Sequence, residues 1–448
     1  KMINSNDINL KQAIRNMAAS LMLVIIFLVG CNGQNILDAV FLSEDATPNK
    51  NLTQEPLQEE NVIATPAPTE NLFASNSLSI WLPPQFDPNA DTESGKIMLA
   101  HIESFQELYP QYNIDIRVKA DSGSSSLLNA LLTTSSAAPG ALPSVVLISR
   151  SDLEIAAAQG IIQPIEALSS AIDESDWFPF VNEMGIIHGK TYGLPFVADA
   201  MGLVMHEDMF GSEYVTLIEA SKRLGNIAFA AGDPDTVVPF IMYQSIGGNV
   251  EDKQGQPTIE LEYLANMLAS IEENRRLDVF SPALIEYQSD NQIWAAFSEN
   301  EFKGVLTWIS RPLAEAENYY ISPLPGIGNQ PYTYASGWIW CLVDKKNTNR
   351  EISISFAEHM IDPQFLSEWT PKTGYLPVRP SSITGWDETL QATITNILFS
   401  ADLMPNEMAL SFAKSDIIKA VQDLLQGLST SEESTQKILE RLESAQAQ

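Results

Sequence analysis

One stretch constrains the chain more than any other, the run Lys190–Phe210. Just before it, Ile186-Ile187 and Thr191-Tyr192 flank His188-Gly189-Lys190, a tight turn with a glycine, so a hairpin is expected. Pro195 then removes a ladder donor and is expected to break regular pairing. Asp199 stands alone in an apolar run from Phe196 to Met205. A carboxylate in such a run must be bonded to nearby backbone N–H groups or aimed into a wet cleft. Strand, proline, lone acid, strand suits a segment that crosses between two lobes with its acid facing the gap.

The 448 residues suffice for two domains, and the formal charge of −32 argues against nucleic acid and against anionic lipid as partners of the protein surface. Residues 1–31 read as a targeting segment. Lys1, Lys11 and Arg15 make a basic start, and Ala18–Gly30 is an uncharged apolar run too short to span a bilayer. Leu28-Val29-Gly30-Cys31 resembles a bacterial lipobox, which makes Cys31 the expected lipidation site. Residues 32–76 carry acids and prolines with few large apolar side chains, the composition of an extended tether. With Cys31 lipidated, Cys341 has no disulfide partner, and its apolar surroundings imply a buried, inert thiol.

From Ser77 the apolar spacing gives strand, helix, strand, helix, strand, helix. The strands are Leu78–Leu82, Ile114–Val118 and Ser144–Ile148; the helices are Gly95–Tyr109, Leu127–Leu132 and Asp152–Gln159. This order predicts a parallel sheet covered by helices. Ligands of such sheets sit beyond the carboxyl ends of the strands, here Pro83–Phe86 and Ser149–Asp152. Further on, Leu261–Arg276 is amphipathic, Gly304–Trp308 and Tyr334–Val343 read as strands, and Thr373–Val378 reads as a loop. Helices are expected at Ile352–Met360, Phe365–Thr370, Leu390–Phe399 and Ile417–Leu425.

No enzyme motif survives inspection. Gly185–Thr191 has one residue too few between its glycines for a phosphate loop, and a strand follows it. His101, His188, His206 and His359 lack metal-ligand spacing, so no metal or cofactor is expected. No Gly-x-Ser-x-Gly or His-Glu-x-x-His occurs, and no acid pair is singled out for catalysis.

The order of several segments resembles the extracellular solute-binding proteins that feed ABC transporters, in particular the family-1 carbohydrate group. The segments are Ser104–Pro110, Leu142–Val146, Ala158–Ile165, Gly189–Phe210, Phe302–Leu306, Ser322–Gly326, Ser336–Trp338, Thr373–Pro377 and Met404–Asn406. Where many relatives have Tyr-Asn-Lys-Asp, this chain has Met205-His206-Glu207-Asp208. The resemblance implies an α/β, periplasmic-binding-protein type 2 fold, with two lobes joined by a multi-strand hinge and a ligand cleft between them. The first lobe is expected at 77–196 plus 322–345, and the second at 198–320 plus 346–448. It further implies a monomeric, lipid-anchored binding protein, not an enzyme. Such a protein sits on the outer face of the cytoplasmic membrane and passes a mono- or oligosaccharide to permease subunits. A sensing or adhesive module on the same scaffold, and a glycan-processing enzyme, are the alternatives.

A sugar site needs aromatic faces and fixed polar groups. Strand ends and the resemblance together nominate Trp81, Phe86, Ser149, Arg150, Ser151, Asp199, Trp308, Arg311, Trp338 and Phe412. Arg150 and Arg311 suit an anionic ligand equally well.

Overall fold

The computed structural model describes residues 76–446, apart from 167, 316–318 and 344–348. The targeting segment, Cys31 and the tether lie outside the described residues. The described strands are β1 (Ser77–Leu82), β2 (Asn113–Val118), β3 (Val145–Ser149), β4 (Ile186–Ile187), β5 (Lys190–Thr191), β6 (Gly193–Met205), β7 (Ile227–Ala228), β8 (Gly304–Trp308), β9 (Tyr320–Pro323), β10 (Thr333–Leu342), β11 (Leu376–Pro377) and β12 (Ala401–Leu403).

One sheet organises the body, in the order β2-β1-β3-β10-β6-β8-β7, with β9 and β11 also on β6 and β12 on β10. As expected, β1 pairs in parallel with both β2 and β3. The central strands β3, β6 and β10 are almost wholly buried, which is why they read as continuous apolar runs rather than alternating ones.

β6 is the shared element. Gly193–Ala200 pairs with β10, and Met201–Met205 pairs with β8. Two α/β lobes therefore hang on a single 13-residue strand. Pro195 does not end that strand. Trp338 pairs with Val197 and Ile339 with Pro195, so Phe196 is the extra residue of a β-bulge in β6 beside the proline. The hairpin β4–β5 turns through His188 (φ 48°) and Gly189 (φ 74°), the two left-handed residues of a primed two-residue turn.

Local chemistry explains the helices. Thr92 accepts from Gly95 N–H (3.0 Å) to start Glu93–Leu108, whose Met98, Ile102 and Phe105 form one buried stripe. Thr216 and Glu219 form a reciprocal capping box on Leu217–Leu224. Gly374 at φ 78° closes Pro363–Thr373 in the left-handed conformation and turns the chain toward β11.

The lobe boundaries need correction in two places. Helices Arg350–Met360 and Pro363–Thr373 were expected in the second lobe but pack on helix Glu93–Leu108 of the first. Phe356 meets Phe105 edge-on at 5.2 Å, and Trp369 Nε1 donates to the Ser94 carbonyl at 3.0 Å. Conversely, Ser322 and Pro323 were expected in the first lobe, yet they pair with Leu203 and Gly202 on the second-lobe half of β6. Cys341 is fully buried, and burial pushes its thiol above the ordinary range, so it is held as an inert thiol.

Candidate functional site

The pairing register brings several of the nominated residues onto one face. Ser149 lies opposite Trp338, and Ser336 opposite Asp199. Met201 lies opposite Trp308. Alternate residues of a strand share a face, so Ser336 and Trp338 look the same way, as do Asp199 and Met201. Ser149, Trp308, Ser336, Trp338 and Asp199 are half-buried in strands whose other members are mostly sealed. A polar and aromatic row thus runs across the junction of the lobes. Ser151 is exposed beside it, with its hydroxyl 3.0 Å from that of Ser149. Ser149 also accepts from Asp152 N–H (3.1 Å), capping the helix Arg150–Ala158.

Asp199 is already engaged. Its Oδ1 accepts from Ala200 N–H (2.8 Å) and Ser310 N–H (3.0 Å), and its Oδ2 accepts from the Ser310 hydroxyl. The acid therefore ties β6 to the turn after β8. Two carboxylate oxygens offer about four lone-pair sites, so room for one further donor remains on Oδ2. Burial raises the carboxyl to about 7, against the opposing pull of the Ser310 and Ala200 bonds. The sign of the linkage follows. Between about pH 4 and pH 7 the folded chain keeps a proton that the unfolded chain has lost, so this group's contribution to stability worsens as pH rises through that window. Asp199→Asn removes the dependence. The melting temperature of the variant minus that of the wild type is expected to climb from pH 5 to pH 7 and to level off by pH 8. A difference that stays flat across those pH values contradicts this assignment.

Two nominated aromatics are corrected. Phe86 is 2 % exposed and sits among Phe196, Trp338, Trp369 and Tyr375, with ring centroids 5.2–5.9 Å away. It is a buttress behind Trp338, not an open stacking face. Trp81 is 3 % exposed, and the Lys119 ammonium lies 4.2 Å from its ring centroid. Trp81 lies near the end of β1 and Phe86 ends the short helical turn Pro84–Phe86 after it, and later parts of the chain, such as the helix that carries Trp369, close over Phe86.

The two arginines are also committed. Arg150 Nη1 is 2.9 Å from Glu154 Oε1, and Nη2 donates to the Ile186 carbonyl at 3.4 Å. Arg311 faces Asp290 (3.4 Å), donates to Asn291 Oδ1, and lies 5.8 Å from the Trp294 ring. Phe412 follows the short helix Glu407–Ser411, half-buried against the core. No hydrogen bond or ring contact joins it to the polar row among the described residues.

Tyr375 was not nominated and belongs to the site. It is half-buried, its ring is 5.2 Å from Phe86, and burial together with the charges of Asp199 and Asp121 pushes its hydroxyl upward. The signal was present in Thr373-Gly374-Tyr375-Leu376-Pro377. A left-handed glycine followed by a short strand pairing Leu376 with Ala198 places Tyr375 beside Asp199. A cavity of about 270 Å³ is lined by Arg150, the residue after Ser149, together with Glu154, His188, Tyr192, Asn406 and Met408. Among the described residues no group of three or more His, Cys, Asp or Glu side chains is arranged to hold a metal.

Residues 100–395 match the family model described as bacterial extracellular solute-binding protein. No curated protein matches the chain. Solved structures share the architecture at low identity. The sugar-binding protein MalE of Xanthomonas citri superposes with a TM-score of 0.66 at 15% identity, covering 82% of this chain and 96% of that one. The maltodextrin-binding protein MalE1 of L. casei BL23, solved without ligand, gives 0.64 at 13%, covering 82% and 97%. The ABC substrate-binding protein Lmo0181 of Listeria monocytogenes, in complex with cycloalternan, gives 0.59 at 14%, covering 83% and 99%.

Proposed function

This chain belongs to the bacterial extracellular solute-binding proteins, and from that premise we propose that it captures a carbohydrate between its two lobes and delivers it to an ABC importer. The observation that carries the reading is the half-buried row of Ser149, Trp338, Ser336 and Asp199, which β6 and β10 hold where the lobes meet. An indole flanked by hydroxyls and a carboxylate offers what a sugar ring presents in reverse, an apolar face ringed by donors and acceptors. Tyr375 adds a second ring beside the acid. Sugar-binding and maltodextrin-binding relatives with this fold support the same ligand class. The lobes are expected to close on the ligand by flexing at the shared strands, as hinged proteins do.

The direct test is a thermal-shift screen of mono- and oligosaccharides. A binder present at 100 times its Kd should stabilise the fold by about 2.7 kcal/mol, a rise of several degrees. No shift with any saccharide defeats the reading.

We further propose that the protein is held at the outer face of the cytoplasmic membrane through lipid on Cys31. The apolar run ending Leu28-Val29-Gly30-Cys31 and the tether composition after it support this. Mass spectrometry of the mature protein is expected to find a lipid-modified Cys31 at the N-terminus, and Cys31→Ser is expected to shed the protein from the membrane fraction. An unmodified Cys31 in the mature chain refutes the anchor.

A further inference from the structure

We propose that the ligand is an acidic saccharide, one bearing a carboxylate, and that Lys119 is the residue that selects it. This rests on the carbohydrate reading above and narrows it.

Lys119 follows β2, and its N–H donates to the Leu82 carbonyl at the end of β1 (2.8 Å). It therefore stands at the carboxyl ends of two parallel strands, the edge where sheets of this type bind ligands. Among the described lysines only Lys119 and Lys414 are half-buried. Lys414 holds Asp235 at 2.7 Å and Glu407 at 3.4 Å. Lys119 makes no ion pair or hydrogen bond through its ammonium among the described residues; its one contact is the face of Trp81. Of these two half-buried lysines, Lys119 alone has no carboxylate partner, in a chain of 57 acids against 25 basic residues.

The donor excess is local. The indole N–H of Trp81 is buried with no acceptor. Two donors beside one strand end, one of them a cation, call for an acceptor that the protein does not provide. Arg150 and Arg311 each already face a carboxylate, Glu154 and Asp290, so their charge is matched within the protein whereas that of Lys119 is not. The loop after Leu82, whose carbonyl receives the Lys119 N–H, carries Phe86, and that ring lies 5.2 Å from both Trp338 and Tyr375, so this strand end adjoins the aromatic face of the site. One uncommitted cation matches one carboxylate. A phosphate dianion would leave about one charge uncompensated next to Asp121 and Asp199. Partial desolvation over the Trp81 ring strengthens the attraction, since charges at a part-buried site are weakly screened.

Wild type, Lys119→Met and Lys119→Arg are titrated calorimetrically with glucuronate- and galacturonate-containing mono- and disaccharides, their neutral glucose and galactose counterparts, and glucose 6-phosphate. The wild type is expected to bind an acidic sugar at least tenfold more tightly than its neutral counterpart. Lys119→Met is expected to erase that preference while binding the neutral sugar as before, and Lys119→Arg to retain it. Equal or tighter binding of neutral sugars by the wild type overturns the inference and leaves the carbohydrate reading standing. So does tighter binding of the phosphate, or a preference that survives in Lys119→Met. Failure of every sugar to bind overturns both. Melting curves of the three proteins without ligand show whether each variant folds. A Lys119→Met protein that fails to fold transfers the decision to the wild-type and Lys119→Arg titrations.

Discussion

Gly337→Ala is expected to lower the stability of the fold by about 3 kcal/mol, the upper end of the usual overpacking cost, because the packing around this glycine leaves no room for a side chain. A Cβ at this position would stand 2.3 Å from the Val197 carbonyl oxygen and 2.7 Å from Met184 Sδ. The thioether can swing away, but the carbonyl cannot. Val197 is held in β6 opposite Trp338, and Gly337 itself pairs with Ala198. β10 is pinned on its other side by β3. A glycine in the interior of a central strand marks such a close approach of two backbones. Relief requires the strands to part, and those strands are the ones that join the lobes. The variant should therefore lose both stability and ligand affinity, since Trp338 is the next residue. Gly140→Ala is the matched control, because nothing lies within 4 Å of its added methyl. It should move the unfolding midpoint by no more than a surface change does, roughly 0.5 kcal/mol. Urea denaturation of the three proteins decides the matter, and a Gly337→Ala midpoint equal to that of Gly140→Ala refutes the packing argument.

Much of this architecture was legible in the residues, for reasons that can be named. Leu261–Arg276 and Gly304–Trp308 match their observed bounds, because each has a strong apolar period or a clear glycine boundary. Asp199 was legible as the anomaly of the crossing strand, since a lone acid among apolar residues demands an explanation. Its partner was not. Ser310 is 111 positions away, and no local pattern says which backbone N–H will meet a given carboxylate. Phe86 and Trp81 were misjudged for a related reason. A strand end says where a side chain begins, whereas its burial depends on helices supplied much later in the chain, such as the one carrying Trp369. The two late helices were assigned to the wrong lobe for the same cause. Chain order places them after β10, but Phe105 and Ser94, which receive them, lie some 250 positions earlier. Tyr375 was passed over because a loop reading gave no reason to prefer it to its neighbours.

The largest effect on binding is expected at Trp338. Its indole is half-buried on the shared face and is backed edge-on by Phe86, with centroids 5.2 Å apart and rings at 77°. That buttress fixes the ring, so little rotamer freedom is lost when a sugar stacks on it. Truncation to alanine removes the stacking contribution, about 0.5–1.5 kcal/mol beyond area, together with the burial of one large apolar face, roughly another 1–2 kcal/mol at the usual 25 cal/mol per Å². Affinity should fall by about one to two and a half powers of ten, each worth about 1.4 kcal/mol. The same variant tests closure. A ligand moves an equilibrium between open and closed lobes only through contacts that differ between the two. If Trp338 supplies such a contact, saturating ligand should compact the wild type in solution scattering and shift its tryptophan emission, and both responses should weaken in Trp338→Ala at matched ligand concentration. Trp177 serves as the control. It is buried, its N–H is bonded to the Ala171 carbonyl (3.0 Å), and the Arg379 guanidinium lies 4.1 Å from its ring centroid. Trp177→Phe keeps the ring in place and should leave both affinity and compaction unchanged. Equal affinities for Trp338→Ala and wild type would remove Trp338 from the site. A radius of gyration that does not respond to saturating ligand would remove lobe closure from the mechanism.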